Sequence, residues 1–153
     1  MQMNADQIRD YAPFAKHVRT VLPTMIGQTK IMDALKNNSG ASDDIIKNGL
    51  LWGTGPVVNV KMLIPHEENG KAVYPTGGYT LGTNIIDVGT ADVGRFQTNQ
   101  DMRTTKTRGQ MHLITIILLH ELTHWAREKS KTTESEEDGF AFEMEAFGEV
   151  IKR

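Results

Sequence analysis

An apolar stretch in the C-terminal half constrains the fold of this chain more than any other feature. Residues 113–119 read Leu-Ile-Thr-Ile-Ile-Leu-Leu, so a helix through them is apolar nearly all the way round. Such a helix must be surrounded by the rest of the protein, and we predict a long, central, buried helix over residues 110–129. Because a membrane-spanning helix needs about 20 apolar residues, we expect no membrane insertion.

Two histidines and a glutamate follow this stretch directly, in the sequence His120-Glu121-Leu122-Thr123-His124. The histidines are four residues apart, so their rings lie one helical turn apart on the same face and can bind one metal ion. Glu121 projects beside them, where its carboxylate can take a proton from a water molecule. The alternative is that both histidines merely cap a buried helix. We favour a metal site, because the motif begins where the apolar stretch ends, at the edge of the core.

This pattern is the HExxH motif of zinc metallopeptidases. It predicts a Zn²⁺ cofactor bound by His120 and His124, with Glu121 as the general base. A catalytic zinc takes three protein ligands, and Glu128 is about 12 Å along the helix from His120, too far to be the third. The last helix, predicted over residues 134–152, supplies the acidic candidates: Glu134, Glu136, Glu137, Asp138, Glu143, Glu145 and Glu149.

Glu143 is the predicted third ligand. Its helical neighbours include Phe140 and Phe147, so it lies on the apolar stripe of the helix, where an unpaired carboxylate is costly. Eighteen residues separate it from His124, enough for the chain to turn and return alongside the first helix. Glu137 is the main alternative, and Glu145 has more polar neighbours, as on an exposed face.

The remaining elements indicate an α+β fold. We predict helix over residues 5–38 with a break at Pro23, and a short helix over Asp43–Lys47 capped by Ser42. Residues 50–95 form the predicted sheet, with strands within 57–64 and 79–88 and a turn at 65–71. Residues 96–109 read as a polar loop.

We therefore expect one α+β domain over residues 1–153, in which a small antiparallel or mixed sheet packs on the central HExxH helix. Residues 50–95 form the sheet. Helices precede and follow it in the sequence: residues 1–40 form a helical N-terminal part, and residues 110–153 form the metal-binding helices.

Composition excludes several functional classes. The 153 residues include no cysteine, which excludes disulfide scaffolds, thiolate zinc sites and cysteine nucleophiles. With 17 lysines and arginines against 19 aspartates and glutamates, the net charge of −2 gives no electrostatic reason to expect a nucleic acid partner. The N-terminus lacks a basic segment followed by an apolar core, so we expect no signal peptide in this chain.

Several strings resemble a known family. Residues 50–58 (LLWGTGPVV), residues 120–127 (HELTHWAR), residues 139–143 (GFAFE) and residues 146–148 (AFG) resemble the zincin-like metallopeptidase toxin domains of bacterial polymorphic toxins, including type VI secretion effectors. The spacing of HExxH and the later Glu resembles gluzincins. In thermolysin-type gluzincins, however, an Asp four residues after the ligand Glu orients a histidine, whereas Phe147 stands at that position here.

The resemblance implies hydrolysis of amide bonds in a protein or peptide substrate, a cognate immunity protein, and secretion into a target cell, in its periplasm or its cytoplasm. In zincins a strand beside the metal-binding helix commonly holds the substrate, and residues 57–62 or 79–88 would supply it. Two alternative activities are cleavage of peptidoglycan stem peptides and cleavage of a regulatory repressor. A non-catalytic interaction module with a vestigial metal site is the alternative of another class, and the intact Glu121 argues against it.

Other aromatic residues and histidines have structural explanations. Trp52, before a glycine-rich turn, is expected to anchor the core. Tyr74 and Tyr79 are weak candidates for stabilising an oxyanion, since each also reads as an ordinary strand aromatic. We expect the other three histidines not to bind metal: His17, His66 and His112.

Overall fold

A computed structural model describes residues 1–68, 70–131 and 138–153. Its helices are α1 (Ala5–Asp10), α2 (Ala12–Thr20), α3 (Thr29–Ser39), α4 (Asp43–Leu50), α5 (Thr90–Gln97), α6 (Leu113–Lys129) and α7 (Asp138–Phe147), with a 3₁₀ helix at Leu22–Gly27. Its strands are β1 (Val57–Lys61), β2 (His66–Glu68), β3 (Lys71–Val73), β4 (Gly77–Tyr79), β5 (Ile85–Gly89), β6 (Met102–Thr105) and β7 (Gly109–His112). The α+β prediction is confirmed.

The N-terminal helices are more divided than the sequence predicts. Tyr11 leaves helical geometry with a φ of −123°, and α2 then begins with Pro13 in its first turn, where a missing amide costs nothing. The break predicted at Pro23 is a 3₁₀ segment, and Gly40 ends α3 with a φ of 66°. Ser42 caps α4 as predicted, its side chain accepting a hydrogen bond from the Ile45 amide.

The sheet is small and mixed. Its strand order is β1-β5-β4, with β1 parallel and β4 antiparallel to β5. Strands β2 and β3 form one hairpin, and β6 and β7 form another.

Three local predictions about the strands are wrong. The turn predicted at 65–71 contains β2. The run 79–88 is not one strand: it holds the last residue of β4, a turn and most of β5, which is antiparallel to β4. The loop predicted at 96–109 contains the end of α5 and all of β6, because this polar segment pairs with β7. Residues 110–112 consequently belong to β7 and not to the central helix.

Helix α6 is central and buried, as predicted. Thirteen of its 17 residues are buried, including every residue from Leu113 to Thr123. It packs against α3, α4, α5 and α7 and against strands β4 and β5. The apolar core forms one cluster that extends from Met1 to Ile151. Among the described residues, no helix has both the length and the apolar character that crossing a membrane requires.

The last helix is shorter than predicted. Helix α7 covers Asp138–Phe147, while residues 134–137 of the predicted helix lie outside the described residues. Gly148, with a φ of 79°, donates its amide to the carbonyl of Met144 and ends the helix. The chain then turns back, so residues 151–153 pass beside α7 instead of continuing it.

Candidate active site

The three residues of the HExxH motif lie together on α6. The ring centroids of His120 and His124 are 5.3 Å apart, as expected for one helical turn. His120 and Glu121 are buried and His124 is half-buried. The apolar residues 113–119 determine this position. They bury the first part of α6 in the core, so the motif that follows them lies at the edge of the core.

Burial sets the electrostatics of these groups. It lowers the pKa of the His124 side chain to about 4, and the neighbouring charge of His120 lowers this pKa further. Burial also raises the pKa of Glu121, while the positive charges of His120 and Arg153 act in the opposite direction. At neutral pH His124 is therefore an uncharged imidazole, the form that binds metal ions.

A cavity of about 730 Å³ opens beside Glu121 and His124. Strand β4 forms one wall, and His66 and Leu81 complete it. His66 lies in a polar stretch of the sequence, which is typical of a solvated residue. It is exposed, and it lies on β2 at the mouth of this cavity. Nothing in the local sequence indicates this, because only the folding of the β2–β3 hairpin brings His66 to the site.

Strand β4 approaches the helix very closely at Gly77. A Cβ atom at this position would lie 2.7 Å from Ile117 Cγ2 and 3.1 Å from Glu121 Oε1, whereas one at Gly78 would meet nothing within 4 Å. Strand β4 is also the edge of its sheet, with β5 on one side and no described strand on the other. Within β4, the backbone of Tyr79 hydrogen-bonds to Glu121, and this bond lowers the pKa of the Glu121 carboxyl against the effect of burial.

The two tyrosines have different environments. The Tyr79 hydroxyl lies 2.7 Å from a carboxylate oxygen of Glu128 and 2.8 Å from the carbonyl of Thr83. Tyr74 is 72% exposed and borders a separate depression that contains Asp92 and Arg95. Neither hydroxyl has a described contact with the HExxH residues. Trp52 packs against the core cluster, in agreement with its expected structural role.

Glu143 is fully buried next to His120. Its Oε1 atom lies 2.7 Å from His120 Nδ1 and accepts a hydrogen bond from Arg153 Nη2 at 2.5 Å. Its Oε2 atom accepts from the backbone amide of Ile151 at 2.8 Å. The sequence predicts Glu143 as a metal ligand, and the structure places its carboxylate against the Nδ1 atom of the His120 ring. Arg153 was not foreseen, because it reaches the site only after the chain turns at Gly148.

The other acidic candidates of this region lie elsewhere or are engaged. Glu145 accepts hydrogen bonds from Asn37 and Asn38 on the surface. Asp138 is buried and forms an ion pair with Arg127, and Glu149 accepts from the Lys106 amide. The remaining three candidates lie outside the described residues: Glu134, Glu136 and Glu137.

The described donor atoms fit a metal of zinc's type. Two imidazole groups are one helical turn apart beside a buried carboxylate, and imidazole nitrogen is a preferred zinc ligand. Within residues 1–68, 70–131 and 138–153, no group of three acidic or histidine side chains is arranged to hold a metal ion.

Comparison with protein families identifies the domain. A family model described as metallopeptidase toxin 3 matches residues 7–148, a range that contains the HExxH helix and Glu143. The chain belongs to this family. No curated protein and no solved structure matches it. This metallopeptidase toxin is thus a hydrolase that uses a metal and acts on a protein substrate.

Proposed function

We propose that this metallopeptidase toxin is a zinc-dependent, zincin-like peptidase formed by residues 1–153 as a single domain. His120 and His124 are the proposed zinc ligands and Glu121 the proposed general base. The observation that carries the proposal is the burial of an HExxH face that borders, through Glu121 and His124, a cavity beside an edge strand. A non-catalytic module would need neither the buried carboxylate nor the cavity.

Each side chain has a separate task in amide hydrolysis. A bound zinc ion supplies Lewis acidity, which polarises the carbonyl and makes water more acidic. Glu121 accepts a proton from the attacking water and returns it to the leaving amine nitrogen. His120 and His124 contribute imidazole nitrogens from rigid backbone, since both belong to the central helix α6.

Strand β4 is the proposed docking site for the substrate backbone. An extended peptide can pair along β4, the edge strand of its sheet, and so lie along the cavity beside Glu121. Of the two segments that the sequence suggests, this supports the one that begins at Tyr79. Strand β1 is at the opposite edge, where Val57 already pairs with Gln2.

Peptidoglycan stem peptides and a regulatory repressor are alternative substrates to a general target protein. We further propose that the domain is a secreted effector, neutralised in the producing cell by an immunity protein. Spacing predicts Glu143 as the third ligand of this zinc, with Glu137 as the alternative.

The test is expression of the domain in bacteria with and without a periplasmic signal sequence. We expect growth inhibition in one compartment only, and its loss in Glu121→Gln, which keeps one zinc per chain because Glu121 is not a ligand. Glu145→Gln, an exposed change on α7, is the control and should inhibit growth like the wild type. Equal inhibition by wild type and Glu121→Gln would instead indicate a binding module. Proteomic and cell-wall analysis of the inhibited cells then identifies the cleaved substrate.

A further inference from the structure

We infer that Glu143 acts on the metal site through His120, as a positioning residue, and is not itself a metal ligand. The inference rests on the proposed function, because it concerns how one of the two proposed zinc ligands is held. Spacing predicts that Glu143 is a metal ligand, and the inference gives it a different role. Glu143 would be the carboxylate that orients a histidine, a group that is missing from position 147, where this chain has Phe147.

The hydrogen bonds of Glu143 are the first argument. Its Oε1 atom is shared between His120 Nδ1 at 2.7 Å and Arg153 Nη2 at 2.5 Å, and its Oε2 atom accepts from the Ile151 amide at 2.8 Å. Both oxygens are therefore used, in a side chain with 0% exposure. Direct coordination would take the carboxylate away from these donors and leave them unsatisfied in the protein interior.

The second argument concerns the tautomer of His120. Arg153 Nη2 lies 2.8 Å from His120 Nδ1, and a guanidinium can only donate a hydrogen bond. A carboxylate can only accept one, so Glu143 favours the proton on Nδ1, whereas Arg153 alone would favour an unprotonated Nδ1. With the proton on Nδ1, the lone pair is on Nε2 and available to a metal. The contact with Glu143 is thus the one that corresponds to the metal-binding tautomer, and in that tautomer Arg153 donates to Glu143 Oε1 instead of to the ring.

Gly139 packs on the face of the His120 ring and not at that lone pair. A Cβ atom built on Gly139 would lie 2.3 Å from His120 Nε2, 2.4 Å from Cε1 and 2.5 Å from Cδ2. These nearly equal distances place Gly139 against the face of the ring and not in the ring plane, where the Nε2 lone pair points. The ring is thus fixed at its Nδ1 atom by Glu143 and on its face by Gly139.

The experiment measures zinc affinity of the full chain by competition with a chelator, for wild type, Glu143→Gln, His124→Ala and the control Glu145→Gln. The glutamine keeps one carbonyl oxygen that can accept from His120 Nδ1. We expect Glu143→Gln to bind one zinc with an affinity roughly 10- to 100-fold lower, the usual effect of changing a group that supports a ligand. Glu145→Gln should match the wild type, and His124→Ala should lose stoichiometric zinc.

Cobalt substitution distinguishes a supporting residue from a ligand. If Glu143 only positions His120, the visible absorption of the Co²⁺ form of Glu143→Gln keeps the wild-type band positions and intensities. A folded Glu143→Gln that loses zinc as completely as His124→Ala, or whose cobalt spectrum shows a changed ligand set, would overturn the inference in favour of ligation. A wild-type chain that binds no zinc refutes the proposed function itself, and the inference with it.

A measurement on the wild type keeps the inference testable even if Glu143→Gln does not fold. In the zinc-loaded protein, the Nδ1 proton of His120 should exchange slowly with solvent, because it is bonded to a buried carboxylate. Proton NMR detects this resonance directly. Rapid exchange of the Nδ1 proton would show that Glu143 has left His120 and would refute the positioning role.

Discussion

Replacing Gly139 by alanine tests the packing that holds His120. The added methyl group would lie 2.3 Å from His120 Nε2, and ordinary contacts between such atoms begin near 3.4 Å. The imidazole, which cannot fold away as a flexible chain could, must therefore move by about 1 Å, the difference between those distances. Such a shift would strain the 2.7 Å contact between His120 Nδ1 and Glu143.

The expected loss of stability is modest, whereas the effect on zinc binding is large. Overpacking costs about 1–3 kcal/mol, and alanine recovers about 1 kcal/mol over glycine inside a helix, so Gly139→Ala should be destabilised by up to about 2 kcal/mol. Zinc affinity should fall at least tenfold, on the order expected when a supporting contact of a ligand is lost.

Urea unfolding followed by tryptophan fluorescence measures the stability, and chelator competition measures the zinc affinity. The matched control is Gly94→Ala in α5, where a Cβ atom would meet nothing within 4 Å. That variant should be stabilised by up to about 1 kcal/mol and should bind zinc normally. If Gly139→Ala behaves like Gly94→Ala in both assays, α7 does not press against the His120 ring and the reasoning fails.

Two further predictions use other parts of the site and the core. Gly77→Ala should lose most activity and about 1–3 kcal/mol of stability, because its methyl group would meet Ile117 and Glu121. The control Gly78→Ala should be nearly unchanged, since a methyl group there meets nothing within 4 Å. Equal activities of the two variants would contradict the close approach of β4 to the helix. His17 is buried with its pKa lowered to about 4, so the folded state binds fewer protons than the unfolded state below pH 6.5. Stability should therefore decrease by up to about 3 kcal/mol between pH 6.5 and 4, and urea unfolding of His17→Gln should show a correspondingly weaker pH dependence.

The central helix and the HExxH residues were predictable because their signals are local. An apolar stretch without a polar face specifies burial, and a spacing of four residues specifies a shared helical face whatever surrounds it. The same holds for Ser42, whose side chain caps α4 within three residues of sequence. Each of these features depends on a few consecutive residues.

Features that depend on chain reversals were not predictable in this way. The burial of Glu143 follows from its helical neighbours, but its partners Ile151 and Arg153 come from beyond the end of α7. A helix that continues to residue 152 would carry Ile151 and Arg153 away from Glu143. The buried carboxylate would then have no protein partner, and for that reason the sequence predicts that a metal ion compensates its charge. The β6–β7 hairpin was not predictable for a similar reason. It is held at its base by a contact in which His112 Nδ1 lies 2.6 Å from the buried carboxylate of Asp101, and a polar sequence does not indicate this contact.

Because the HExxH motif belongs to the buried central helix, the site should stay intact until the whole domain unfolds. Hydrogen bonds of α6 can open only if the surrounding helices and strands separate, so amide exchange at residues 117–123 should require global unfolding. Heating should therefore produce no partly unfolded form in which only some of His120, Glu121 and His124 keep their positions. Thermal inactivation and thermal unfolding of this domain should share one midpoint, with the whole site lost in the same cooperative step as the core.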